Sequence, residues 1–151
     1  MGNCVAKQYS KYKLGKIESK DIPYFSFENY SCYAEVASVY DGDTCTLLFL
    51  WRNYPVKIRC RMKGYDSPEM KPPLSDPNRD QVKKKAHEAK EALMKYIDYD
   101  NKSLVKVEFE KFDKYGRPLV TLYNMNYVNV NEMMIMNNYG YKYDGGTKNK
   151  V

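Results

Sequence analysis

The chain has 151 residues, of which 43% are apolar and 29% charged, a balance that excludes a disordered chain and favours one domain with its own core over two. It contains no uninterrupted apolar run of about 18 residues, which excludes a membrane-spanning helix on hydropathy, and no apolar leader follows the first residues. The net charge of +6 is uneven: residues 1–20 carry five lysines against one glutamate, so the basic character belongs mainly to an arm suited to nucleic acid, an anionic membrane or plain solvation.

Residues 1–20 read as a flexible basic arm. Its start, Met1-Gly2-Asn3-Cys4, offers Gly2 for N-myristoylation and Cys4 for palmitoylation, and two acyl chains anchor where one does not. Ala6 stands where that motif wants Ser or Thr, so an ordinary unmodified start is the other reading. The lysines between positions 7 and 20 would support a tether. An aromatic segment over residues 24–30 follows and is expected to pack on the outside of the domain.

Residues 34–40 and 44–51 are β-rich runs separated by Asp41-Gly42-Asp43, and Asp-Gly between such runs signals a hairpin. Val56, Ile58, Cys60 and Met62 alternate with Lys57, Arg59, Arg61 and Lys63, the period of a third, half-buried strand. A proline-rich loop over residues 71–78 leads into an amphipathic helix over residues 81–97, on which Val82, Ala86, Ala89, Leu93 and Ile97 share a face. Residues 104–111 alternate as a fourth strand. Asp113-Lys-Tyr115-Gly makes a turn, and residues 118–123 form a fifth strand, with Pro118 confined to its start. A short Met-rich helix over residues 130–138, stopped by Gly140, precedes a tail expected to be frayed over residues 145–151. The expected organisation is an arm over residues 1–33, a domain over 34–144 and that tail. The four cysteines show no CxxC spacing, which argues against zinc and redox motifs and for reduced thiols in a cytoplasmic setting.

Five short strands with a helix after the third predict a mainly β, α+β chain: a five-stranded OB-fold Greek-key barrel with one long and one short helix. An α+β sheet would also accommodate that order. If the first three strands are neighbours, Asp43 and Asp66 flank a common mouth, and two carboxylates with a carbonyl and waters suit Ca²⁺. A single histidine, His87, leaves no His-ligated transition-metal site. Arg61 and Arg117 carry the planar fork that matches phosphate oxygens. Glu69, after Pro68, is placed to act on a water as base or orienter. Each residue alone has a plainer reading: a hairpin turn for Asp41-Gly42, a surface ion pair for either arginine, a solvated loop carboxylate for Glu69.

Taken together, Asp41-Gly-Asp43-Thr, Arg61-x₄-Asp66-x-Pro68-Glu69 and Asp113-Lys-Tyr-Gly-Arg117 resemble the staphylococcal (micrococcal) nuclease family, from about Val39 to Gly140. Ala86-His-Glu-Ala89 and Val130-Asn-Glu132 extend the resemblance. It implies an OB-type barrel that hydrolyses DNA and RNA with Ca²⁺ and low sequence specificity, leaving 3′-phosphate ends. By motif position, Asp43 and Asp66 would ligate the metal and Ser67 would add its backbone carbonyl, with Asp41 in the outer shell. Arg61 and Arg117 would hold the scissile phosphate, Glu69 would hold or activate the attacking water, and Tyr115 would touch the terminal phosphate or sugar. Ser67 replaces the family's usual Thr, and Tyr141 and Tyr143 stand between a base-stacking role and ordinary packing.

Two functions follow as expectations: a calcium-dependent nuclease acting as a monomer on DNA and RNA, or a non-catalytic OB module that binds single strands. A degenerate module would lose an arginine, Glu69 or a metal carboxylate, and all are present. A membrane tether through Gly2 and Cys4 is compatible with either.

Overall fold

Alternation along the strands sets the architecture. Cys45, Leu47 and Phe49 are buried while Leu48 and Leu50 are exposed, so the run closes one face onto a core and leaves the other wet. The computed structural model describes residues 2–143, so the expected frayed tail over residues 145–151 lies outside the described residues. In chain order come α1 (Gly2–Leu14), β1 (Ser31–Val39), β2 (Thr44–Trp51), β3 (Tyr54–Met62), β4 (Tyr65–Asp66), α2 (Arg79–Tyr96), β5 (Leu104–Phe112), β6 (Pro118–Tyr123), α3 (Val130–Met136) and β7 (Tyr141–Lys142).

Five strands close into a barrel in the order β1-β2-β3-β6-β5, and β4 and β7 form a separate two-stranded pair. All barrel pairings are antiparallel except β3 with β6, which run parallel through Arg61↔Leu119 and Met62↔Val120. This is an OB-fold-like α+β barrel, as the order of elements predicts. β2 and β3 join through Arg52 and Asn53, both at positive φ, the two-residue turn whose twist matches the strands it connects. Helix α2 turns Ala86, Ala89, Ala92 and Leu93 inward, and the small size of the three alanines lets it lie close to the barrel.

Several expectations are corrected. The basic arm, read as flexible, forms α1 and a 3₁₀ turn at Ser19–Asp21, which makes three α-helices rather than two among the described residues. Every residue from 4 to 26 is nevertheless exposed. The aromatic segment does not stay outside: Phe27 is 4% exposed and sits 5.3 Å from Phe109, 5.7 Å from Phe49 and 5.2 Å from Trp51, centroid to centroid. Burying a ring of this size removes on the order of 150–250 Å² from water, which outweighs leaving the segment loose. The barrel therefore begins in sequence before residue 34. Gly140 does not stop α3: Asn138 takes the left-handed φ of 60°. Instead, a Cβ at Gly140 would lie 2.3 Å from the Tyr65 ring, so glycine is needed there for close packing.

Candidate functional site

Gly42 stands at the origin of the site. It is not at a positive φ, so the hairpin signal does not explain it. A Cβ at this position would lie 2.8 Å from Ala89 Cβ and 2.9 Å from Ser67 Cβ. Its absence lets α2 and the segment after β4 converge on the loop that carries Asp43. The buried Tyr65 hydroxyl donates to the Gly42 carbonyl at 2.6 Å, and the Asp43 carbonyl accepts from the Met62 N–H at 2.7 Å. Backbone and side chain alike fix the loop against β3 and β4.

Asp43, 3% exposed, is held on all sides. Its Oδ1 accepts from the Thr44 hydroxyl at 2.8 Å and from Arg61 at 3.3 Å. Its Oδ2 accepts from the Ser67 backbone N–H at 2.8 Å and from the Ser67 hydroxyl at 3.2 Å. Burial, reinforced by the nearby Asp41 carboxylate, pushes the Asp43 pKa up to about 6 against the pull of Arg61, Ser67 and Thr44. Asp41 stands one step back, its Oδ1 accepting from the Asp43 N–H at 3.0 Å.

Arg61 bridges the two carboxylates. It lies on β3 opposite Thr44, and its second terminal nitrogen donates to Asp66 Oδ1 at 2.6 Å. Burial alone would lower the guanidinium pKa, but the charges of Asp43 and Asp66 more than offset it, so Arg61 stays charged. The other Asp66 oxygen accepts from the Tyr141 hydroxyl at 2.9 Å. Tyr141 reaches it because β7 pairs with β4 in the register Asp66↔Tyr141. The Arg61 guanidinium also lies 5.9 Å from the Tyr143 ring.

Arg117 arrives from the β5–β6 turn. Asp113 Oδ1 accepts from the N–H groups of Tyr115 and Arg117, each at 2.9 Å, and Gly116 supplies the φ of 78° that closes the turn. Asp113 Oδ2 takes the Arg117 side chain at 2.7–2.8 Å. Burial tends to raise the Asp113 pKa, but these donors outweigh it and hold the carboxyl below its usual value. Thus anchored, Arg117 donates to the Thr44 hydroxyl at 3.3 Å, which links it through Thr44 to Asp43.

The fold therefore gathers Asp43, Arg61, Asp66, Ser67 and Arg117 into one hydrogen-bonded cluster, with Asp41 behind it. Glu69 is exposed in the coil after Ser67, and Tyr115 is exposed in its turn, its ring 5.6 Å from the Arg117 guanidinium. Gly2 and Cys4 fall in α1, where Cys4 is exposed. Thr44 and Tyr65 are participants that sequence reasoning passed over, and Tyr141 joins as a hydroxyl donor. A tyrosine one residue before the aspartate and a second just after a glycine were the available signals. Chemically, the cluster offers hard oxygen donors beside two planar cations. Among the described residues, no three or more His, Cys, Asp or Glu side chains form a ready metal cluster.

No curated protein matches the chain significantly. A family model described as staphylococcal nuclease homologue matches residues 59–150, more than half of the sequence. Its span takes in the end of β3 with Arg61, the Asp66 segment, α2, the Arg117 turn and α3, on a barrel of the OB type, and on that match the chain belongs to the staphylococcal nuclease homologue family.

Proposed function

We propose that the protein is a metal-dependent nuclease that hydrolyses phosphodiester bonds of DNA and RNA with low sequence specificity and leaves 3′-phosphate ends. One observation carries this reading: Arg61 bridges Asp43 and Asp66, while Arg117 reaches the same place through Thr44.

The donors are carboxylate oxygens, the kind a hard cation such as Ca²⁺ takes, and because each Asp43 oxygen already accepts two hydrogen bonds the ion would take the place of Arg61 at Oδ1. Asp43 and Asp66 would hold it, with the Ser67 carbonyl and waters completing the shell. When bound, such an ion polarises a phosphoryl oxygen and makes a water more acidic. The protein's own groups do the rest. Arg61 and Arg117 exchange carboxylate partners for phosphate oxygens and neutralise the charge that grows as phosphorus becomes pentacoordinate. Glu69 takes the proton of the attacking water as its oxygen bonds to phosphorus, the P–O5′ bond breaks, and O5′ leaves as a hydroxyl with a proton from solvent, so that phosphate stays on the 3′ side.

A second reading, a non-catalytic single-strand-binding module, draws support from one fact. Each oxygen of Asp43 and Asp66 already accepts a hydrogen bond from Arg61, Thr44, Ser67 or Tyr141. Plasmid DNA and single-stranded RNA incubated with purified protein separate the two. Cleavage is expected with Ca²⁺, none with EDTA, and a loss of about 100-fold or more in Arg61→Ala and in Glu69→Ala. Cleavage that persists in EDTA, or that both variants retain, rejects the mechanism. Binding without cleavage leaves the module.

A further inference from the structure

The outer face of β3 continues beyond Arg61. Side chains two apart on a strand share a face about 6.6 Å from one another, so Lys57 and Arg59 stand in line with Arg61, opposite Leu48, Thr46 and Thr44 of β2. Lys57 and Arg59 are exposed. Neither forms an ion pair among the described residues, whereas Lys63 pairs with Glu110 and Lys106 with Glu108. The nearest carboxylate in the Lys57 row is Glu35, one strand further away across Leu48.

Tyr40 completes the arrangement. Tyr40 is 48% exposed, and the Arg59 guanidinium lies 5.1 Å from its ring centroid. The next side chains in the Arg59 row, Thr46 and Ser38, are short. On its other side, β3 meets β6 at Arg61 and Met62, and residues 54–59 have no strand partner on that edge among the described residues. Aligned cations beside an aromatic face are the equipment of a single-strand binding surface, where charge follows the phosphates and a ring stacks on a base. Two residues of strand advance about as far as one phosphate step of an extended single strand.

We propose that Lys57, Arg59 and Tyr40 form a binding track for single-stranded nucleic acid that runs away from the Arg61 cluster along β3. The track extends the site proposed above and rests on that reading for its ligand class. It makes affinity depend on strand length, because only a substrate reaching several nucleotides beyond the cluster meets Arg59 and Lys57.

Fluorescence anisotropy of the full chain with labelled oligothymidylates in EDTA tests this, using a dodecamer and a trimer over a range of salt. Lys57→Ala/Arg59→Ala is expected to weaken dodecamer binding about tenfold and to reduce the salt slope by about 1.4, two phosphate contacts on a single strand. Trimer binding changes less than about twofold. Tyr40→Ala weakens the dodecamer severalfold with little change in slope. Lys90→Ala/Lys95→Ala, an equal charge change on α2, serves as the control. The track is overturned if the natural protein fails to bind the dodecamer, if the double variant loses no more than the control, or if dodecamer and trimer lose equally. With no metal present, hydrolysis plays no part: length-dependent loss in a protein that never cleaves removes the catalytic reading and keeps the track, and cleavage by a protein without that loss does the reverse.

Discussion

Burying Asp43 beside Asp41 raises its pKa from 3.8 to about 6, so keeping it ionised at neutral pH costs folding free energy. A raised carboxylate pKa means that the folded state holds the proton more tightly. Its favourable contribution is complete below pH 3.8 and is lost as the pH rises through about 6. Metal-free Asp43→Asn should therefore be more stable than the natural protein at pH 7, by an amount on the order of 2–3 kcal/mol, with the gap closing near pH 4. Urea denaturation in EDTA at the two pH values measures this. A variant that is less stable at pH 7 would mean that the Arg61 pairing outweighs the burial. Active centres commonly hold groups in such unfavourable states, because the charge is wanted there for something other than folding.

At the scale of elements, the contact between α2 and the β1–β2 loop sets the position of Asp43. Gly42→Ala forces a methyl against Ala89 and Ser67 and should cost about 2 kcal/mol. Combined with Ala89→Gly it should cost less than the sum of the two single changes, since one of the clashing methyls is gone. Strict additivity in a denaturation cycle would show that the helix does not set the spacing. This contact also marks the limit of sequence reading. Thr44–Trp51 and Pro118–Tyr123 were legible as strands because alternation reports burial directly. Asp43, Arg61, Asp66 and Arg117 were legible as a set because their joint spacing is specific where each alone is not. Gly42 was legible as a glycine but not for its reason, which lies in a helix more than forty residues away. β4 and β7, with two residues each, carry no periodicity, so the bond from Tyr141 to Asp66 had no local signature. Phe27 was misplaced because composition shows an aromatic ring but not the gap it fills.

For the whole molecule, the exposure of the basic arm predicts that it adds little to the stability of the barrel. Every residue from 4 to 26 is exposed, and a 13-residue helix exposed at every one of its described side chains sits near the limit of independent stability in water. Removing residues 2–14 should leave barrel stability within about 0.5 kcal/mol of the natural value. Thermal melts followed by far-ultraviolet circular dichroism check it, and a larger drop would reveal docking of the arm on the barrel. The β4–β7 pair beside the barrel is completed late in the sequence. Asp66 is gripped by Tyr141, and Tyr65 is packed against Gly140, both far along the chain from the strand they secure. During synthesis, the nascent polypeptide thus carries Asp43, Arg61 and Arg117 well before Tyr141 can donate to Asp66, a bond that forms only once translation has passed that residue.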